Sequence, residues 1–305
     1  MREDQRGFAL ILTLVVTALL VAVAVEFIHG VYVDTSLHRN RVNLQQGSLM
    51  AQGGIAGGVA YLRQLRAAGK ETELMGLLAN PLVVEDEKGA VSVTVEEENG
   101  KLNLNAVTQP NGAPYDFNDR VERRLLRLLG LSPALHDTLA DWVDTDDTPR
   151  PDGAESAWYR GLPSPYSSRN SRFETFGELG LVRGSSTTVM TKLRPCATVY
   201  GTGTTININT APSPVLEALD DDMTQALARA IVERRRDRPF TSLGQLSEIP
   251  GMERIAGRLD PGWVGVKGSI YRLVATATVG EAQRIVEAVV TIDGAQPTYL
   301  YWREY

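Results

Sequence analysis

The chain has 305 residues, 43% of them apolar and 22% charged, with a formal net charge of −6. Such a length and composition supply a core and one or two domains beyond the N-terminal segment, and they exclude wholesale disorder. The acidic balance argues against a protein that coats nucleic acid, because phosphate binding is driven by Lys and Arg.

The first element is RGFALILTLVVTALLVAVAVEFI, residues 6–28. From Phe8 to Ile28 only Thr13, Thr17 and Glu26 interrupt the apolar run. As a helix this stretch is about 31 Å long, enough to cross the hydrocarbon of a bilayer. A secretory signal has a shorter apolar core followed by unrelated sequence. Here apolar residues continue at Val42, Leu49, Ile55, Val59 and Leu62 without a proline, at roughly helical spacing loosened by Gly53, Gly54, Gly57 and Gly58. The pattern predicts one helix of about 60 residues, apolar for its first third and amphipathic afterwards. Arg2 and Arg6 precede the run and favour a cytoplasmic N-terminus, diluted by Glu3 and Asp4. A plain signal anchor tethering a periplasmic domain is the simpler reading of these features alone.

Arg6-Gly7-Phe8 opening a long apolar helix resembles the cleavage site of type IV pilins and type II secretion pseudopilins. The resemblance implies cutting by a prepilin peptidase between Gly7 and Phe8, a leader of residues 1–7, and N-methylation of Phe8. Most of that class carry a glutamate at the fifth mature position, where this chain has Leu12. A carboxylate in hydrocarbon is costly unless paired, and a subunit that docks onto no preceding subunit has no use for it. Its absence is typical of the K class of minor pseudopilins, which implies a place at the filament tip. Glu26 is no replacement; it reads as a solvated residue at the far membrane face.

Past the helix, PLVVED and AVSVTVEE predict a hairpin across Glu87-Lys88-Gly89, with KLNLNAV as a third strand. DFNDRVERRLLRLLGL is helical, with Asn118 as its cap. SPALHDTLADWV follows with Ser132 as N-cap and Pro133 in the first turn. SPVLEAL, MTQALARAIVERRR and SLGQLSEI continue the helical middle. SIYRLVATATVG and RIVEAVVTID predict a second hairpin around Gly280-Glu281, and YLYWREY an edge strand. Strands flanking a helix-rich middle indicate an α+β fold in which a sheet domain is interrupted by helices. The K-class resemblance implies the same architecture: a pilin-like long N-terminal helix packed on an antiparallel sheet, with a large inserted α-helical domain. The expected divisions are a long helix over 8–70 (membrane-spanning over 8–28), a first sheet part over 71–110, the insertion over 111–262, and closing strands over 263–305.

LADWVDTDDTPRPDGAESAWY concentrates Asp141, Asp144, Asp146, Asp147, Asp152 and Glu155 in a proline-interrupted loop. Hard oxygen ligands of this kind suit Ca²⁺, although such a loop can equally cap a helix or be solvated. Asp144, Asp146, Asp152 and Glu155 fall at positions 1, 3, 9 and 12 of an EF-hand loop, but Pro149 stands where that loop requires glycine, so the match is coincidental. K-class pseudopilins carry calcium in the inserted domain, and the acidic pattern resembles theirs. That resemblance implies Asp144, Asp146, Asp147 and Glu155 as ligands, with Asp141 left in the helix. Cys196, the single cysteine, reads as a buried apolar residue and permits no intrachain disulfide. His29, His38 and His136 have no zinc-ligand spacing. No nucleophile elbow, phosphate loop or paired Ser–His motif suggests an enzyme.

TTININTAPSPVLEAL and ALARAIVERRRDRPFTSLGQLSEIPGM resemble the helix-hairpin-helix of competence-type DNA-binding proteins. Such hairpins present backbone N–H groups to phosphate. Here the first turn is Asp220-Asp221-Asp222 and the second, Pro250-Gly251-Met252-Glu253, ends in a carboxylate, which argues that the motif is degenerate and binds no nucleic acid. The basic cluster Arg234, Arg235, Arg236 and Arg238 is the counter-evidence, readable as a solvated helix end.

The resemblance to K-class minor pseudopilins covers nearly the whole chain. It implies a non-enzymatic single-pass protein of the bacterial inner membrane with its bulk in the periplasm. At the tip of the pseudopilus it would assemble with I-type and J-type minor pseudopilins and other pseudopilus subunits, initiating and capping the filament that drives export across the outer membrane. Phe8, Leu12, Leu19, Val23 and Ile28 would lie in the membrane and assembly helix. The alternatives are a type IV pilus tip subunit, a competence-type DNA-uptake protein, and a membrane-anchored calcium-binding protein unrelated to filaments.

Overall fold

The computed structural model describes residues 4–203, 205–294 and 296–305, so Met1, Arg2 and Glu3 of the expected leader lie outside the described residues. Helix α1 runs unbroken from Asp4 to Ala67. Its apolar opening is exposed on every side: Phe8, Leu12, Leu19, Val23 and Ile28 touch no core. This is the one helix among the described residues long and apolar enough to cross a membrane. Packing begins near Gly47, and Ala51, Ile55, Val59, Leu62 and Leu65 form a buried stripe at helical spacing. Gly69, at φ +64°, ends the helix: its N–H reaches Arg66 O at 3.1 Å and the Lys70 N–H reaches Leu65 O at 3.0 Å. These paired bonds satisfy the last carbonyls, and glycine adopts the left-handed turn without strain.

A short helix α2 (Glu71–Ala79) follows, burying Leu74 and Leu77. Next come β1 (Leu82–Asp86) and β2 (Gly89–Glu97), joined by the expected turn, where Asp86 Oδ1 accepts from the Lys88 N–H at 2.8 Å. The chain then leaves for a long excursion through β3 (Leu102–Asn103), α3 (Asp116–Leu128), α4 (Ala134–Val143), α5 (Ser156–Arg160) and α6 (Thr187–Leu193). It continues through β4 (Ala197–Thr198), β5 (Ile206–Asn207), α7 (Ser213–Ala218), α8 (Gln225–Asp237), α9 (Glu253–Ala256) and β6 (Val264–Gly265). It returns as β7 (Ile270–Val279), β8 (Ala282–Thr291) and β9 (Thr298–Glu304).

The main sheet has the order β1-β2-β7-β8-β9, all antiparallel, so the excursion departs and re-enters at adjacent central strands. Alternate residues Val91, Val93, Val95, Leu273, Ala275, Ala277, Val286, Ala288 and Val290 face α1 in one core. The small side chains let α1 lie close. A Cβ on Gly54 would stand 2.9 Å from Val91 Cγ2, and one on Gly58 would stand 2.8 Å from Leu273 Cδ2.

The excursion has its own core and is built twice over. Leu102-Asn103-Leu104-Asn105 and Ile206-Asn207-Ile208-Asn209 start the two halves. β3 pairs in parallel with β4, and β5 pairs in parallel with β6. Asn105 Nδ2 donates to Phe173 O (2.9 Å) and Val199 O (2.7 Å), and its Oδ1 accepts from the Phe173 N–H (2.8 Å). Asn209 makes the same three bonds to Phe240 O, Val266 O and the Phe240 N–H, each at 2.8 Å. A 3₁₀ turn follows each phenylalanine (Phe176–Leu181 and Leu243–Glu248), then a positive-φ glycine, Gly184 or Gly251.

Three local expectations change. KLNLNAV forms only the two-residue β3 outside the main sheet, because its asparagines tie it to the insertion. Asn118 is no cap: it lies inside α3, fully buried, donating to Ala106 O at 2.8 Å. α4 starts at Ala134 with Pro133 preceding it, and Ser132 makes no capping bond.

Candidate functional site

Two features of the molecule are candidates for a functional site. The first is α1. From Phe8 to Val42 its side chains are exposed, and beyond Gly47 the surface opposite the sheet carries Leu49, Gly53, Ala56, Gly57 and Ala60, all exposed. A Cβ added at Gly53 or Gly57 would meet nothing within 4 Å. Small residues four apart on an open helix face allow another helix to approach closely.

The second is the acidic loop. α4 ends with Asp141 fully buried and delivers Asp144 to its C-cap, 1% exposed. The chain loops back through Gly153 to Glu155, 3% exposed, at the start of α5. Carboxylate oxygens of Asp144, Asp146 and Glu155 lie within 4.8 Å of one another. Of the four expected ligands, Asp147 is not in this group; its Oδ1 accepts from Asn170 Nδ2 at 3.2 Å. Asp141, left in the helix by the sequence reading, belongs to the cluster through Arg150. The Arg150 Nη1 donates to Asp141 Oδ1 (2.5 Å) and Asp144 Oδ2 (2.6 Å), while Nη2 donates to Gly112 O (2.8 Å). Gly153 is required for this closure, since a Cβ there would fall 1.8 Å from Asp141 Oδ2.

The residues fit a hard divalent cation. Asp144 Oδ1 and Glu155 Oε1 are buried with no hydrogen-bond partner among the described residues, an arrangement that is costly without a positive charge. Burial, with the nearby charges of Asp141, Asp144 and Asp147, pushes Glu155 up to about 7 against the bond it accepts from Ser168. Burial also raises Asp144, opposed by Arg150. Three convergent carboxylates plus loop carbonyls and water match the oxygen-rich, tolerant coordination of Ca²⁺ better than a nitrogen or sulfur site.

The first helix-hairpin-helix turn is tied up by arginines of this chain. Arg124 of α3 grips Asp221 with two bonds (2.6 and 2.5 Å), and Arg258 holds Asp220 at 2.9 Å and Asp222 at 2.7 Å. Burial opposes ionisation of Asp220, yet Arg258 holds it below the usual carboxylate range; Arg124 does the same for Asp221. The acidic turn therefore clamps the two halves of the insertion together. Arg234 stacks over Phe240 (4.4 Å) and pairs with Glu248 (2.9 Å).

The sequence reading did not find the joint between insertion and sheet. Glu97, at the end of β2, is buried and accepts from Asn207 Nδ2 (2.6 Å) and Thr210 Oγ1 (3.1 Å). Its neighbour Glu98 accepts from Lys101 (3.1 Å) and Arg272 (2.8 Å). Three consecutive carboxylates, Glu96, Glu97 and Glu98, that end a strand of regular alternation were the available signal.

Comparison with known proteins places these features. Residues 100–202 and 206–267 each match the family described as type II secretion system (T2SS), protein K. The two matches coincide with the two halves of the insertion. The type II secretion system protein K of Pseudomonas aeruginosa is 31% identical over 255 residues, covering 79% of this chain and 76% of that protein. That of Pectobacterium carotovorum is 26% identical, covering 100% and 98%. Among solved structures, a chain of the GspK-GspI-GspJ complex from the type 2 secretion system of enterotoxigenic Escherichia coli superposes with a TM-score of 0.68. It is 20% identical, and the match covers 87% of this chain and 99% of that one. With its long apolar helix, its interrupted antiparallel sheet and its doubled insertion, this chain belongs to the type II secretion system protein K family and is a minor pseudopilin of that system.

Proposed function

We propose that this chain occupies the tip of the pseudopilus, joining I-type and J-type minor pseudopilins through α1 while the insertion blocks stacking above it. The observation that carries this reading is α1 itself. Its apolar half is wholly exposed, and its packed half keeps an open face of small residues, so one side of a 64-residue helix holds the sheet and the other is left for neighbouring helices. The solved relative comes from a complex of K, I and J proteins, which supports the same partners here. Leu12 supplies no carboxylate to meet the amino terminus of a preceding subunit. A first or last subunit needs no such link.

The remaining roles follow from this placement. Residues 8–28 hold the chain in the inner membrane with the sheet and insertion in the periplasm. Prepilin peptidase cuts between Gly7 and Phe8, and Phe8 is methylated. Asp144, Asp146 and Glu155, with Asp141 and Arg150 behind them, hold a calcium ion that stiffens the loop between α4 and α5; the ion supplies charge compensation, not chemistry. The protein works by assembly rather than catalysis. Affinity purification of the full chain from detergent extracts with tagged I-type and J-type partners tests the reading. A stable ternary complex is expected, with mass spectrometry placing a methylated Phe8 at the mature N-terminus. A chain that purifies alone, or that still starts at Met1, refutes it.

A further inference from the structure

A cavity of about 710 Å³ opens where α2, the end of β2 and the insertion meet. Met75, Leu78, Val95, Pro195 and Pro212 give it an apolar wall. Arg235 and Arg236 also line it. Arg235 is half-buried, and its Nη1 donates to Ile208 O (2.6 Å) and Ala211 O (2.7 Å); Nε and Nη2 make no hydrogen bond among the described residues. Among the described residues neither Arg235 nor Arg236 forms an ion pair.

That sets Arg235 apart from Arg124, Arg150, Arg234 and Arg272. Arg124 has Asp221, Arg150 has Asp141 and Asp144, Arg234 has Glu248, and Arg272 has Glu98 and Glu287. A cation drawn out of water is costly unless an anion reaches it. Burial and the adjacent charge of Arg236 push Arg235 down to about 10. The acids of the cavity do not serve. Glu96 is held by Lys101 at 3.0 Å, and Glu97 is occupied by Asn207 and Thr210.

We propose that this cavity is a docking site for a segment of another protein that carries a carboxylate beside an apolar side chain. The carboxylate is gripped by the free edge of Arg235 and by Arg236, and the apolar side chain lies against Met75, Leu78 and Val95. The guanidinium fork matches a carboxylate in shape as well as charge, and the volume suits two or three side chains. A lipid is the weaker occupant. The cavity lies beside α2, beyond Ala67, and Ala67 is separated from Ile28 by roughly 60 Å of helix, farther than an acyl chain can reach from a bilayer. The site is distinct from the open face of α1 and from the acidic loop, so it stands or falls independently of the assembly role proposed above.

Fluorescence anisotropy on the full chain in detergent micelles tests it, with labelled Ala-Leu-Glu-Leu-Ala amide as the probe. The Glu peptide is expected to bind about tenfold more tightly than its Gln counterpart, the scale of one charge-assisted contact. Arg236→Gln, at an exposed position that leaves folding intact, should erase most of that difference, and Arg235→Gln, checked by circular dichroism, should erase the rest. Met75→Trp should weaken both peptides alike by filling the apolar wall. Equal binding of the two peptides, no binding of the Glu peptide at millimolar concentration, or a preference that survives in Arg236→Gln with Arg235→Gln overturns the proposal. Displacement by decanoate without any peptide preference would overturn it in favour of a lipid.

Discussion

Asn105 and Asn209 hold the two halves of the insertion, and replacing each by alanine measures how. In Asn105→Ala the Phe173 N–H, Phe173 C=O and Val199 C=O all lose their partners, and all three bonds are buried. In Asn209→Ala the Phe240 N–H and C=O are left in a buried setting, whereas the Val266 bond is only partly buried and water can replace it. An unsatisfied buried backbone group costs about 1–3 kcal/mol. Asn105→Ala should therefore lose about 4–6 kcal/mol and Asn209→Ala about 3–4 kcal/mol, large against a total stability of about 5–15 kcal/mol. Urea unfolding followed by tryptophan fluorescence separates the two. Trp142 stacks on Phe173 (6.2 Å) in the first half, and Trp263 stacks on Phe117 (5.8 Å) beside β6. Losses below about 1 kcal/mol at both sites would mean that the asparagines decorate the turns rather than hold them, as for ordinary surface positions. A larger loss at Asn209 than at Asn105 would refute the burial argument specifically.

Other consequences follow. Burial pushes Glu97 up to about 6, against the bonds from Asn207 and Thr210, so its contribution is full below pH 4.5 and is lost as pH rises through 6. Glu97→Gln keeps an acceptor for Asn207 and should flatten that slope, gaining about 2 kcal/mol on wild type above pH 7 in urea titrations; a parallel pH profile would refute it. Calcium at a hundredfold excess over its dissociation constant should raise stability by about 2–3 kcal/mol in thermal melts, reversed by chelator and absent in Glu155→Gln with Asp144→Asn. An unchanged melting temperature would refute the cation site. Gly57→Ala should stabilise the free chain by up to about 1 kcal/mol through helix propensity, whereas Gly58→Ala meets Leu273 and should end about 1 kcal/mol less stable. Equal gains at both would refute the packing of α1. Gly53→Leu with Gly57→Leu should leave the free chain folded but abolish co-purification with partner pseudopilins.

Much of this was legible in the residues. The apolar run and the later helical stripe define α1 because both follow from side-chain periodicity along one element, and the hairpins at Gly89 and Gly280 follow from turn chemistry. What was hidden lies in long-range bonds. Leu-Asn-Leu-Asn reads as a strand by alternation, yet Asn105 acts on Phe173, 68 residues away, and Asn209 acts on Phe240, 31 residues away. The duplication could have been found by setting LNLNA against ININT and FETFGEL against FTSLGQL. The acidic loop shows the same limit. Charge density marked the candidate loop, but only the closure at Gly153 brings Asp141 against it, while Asp147 pairs with Asn170. α2 was missed because nine residues after a glycine turn carry too little periodicity to separate helix from loop.

The glycines of α1 connect these levels. A glycine inside a helix costs about 1 kcal/mol relative to alanine, and α1 has four within two turns. Gly54 and Gly58 are offset within the chain, because the sheet comes so close that no Cβ fits without displacing Val91 or Leu273. Gly53 and Gly57 have no such return: nothing within 4 Å would meet a side chain there. Together they forgo about 2 kcal/mol of helix stability that the isolated chain never recovers. On the proposed assembly, that cost is offset in contact with a second helix, where the absence of side chains allows backbones to approach. The helix would then serve two packings at once, one with the sheet and the other with a partner.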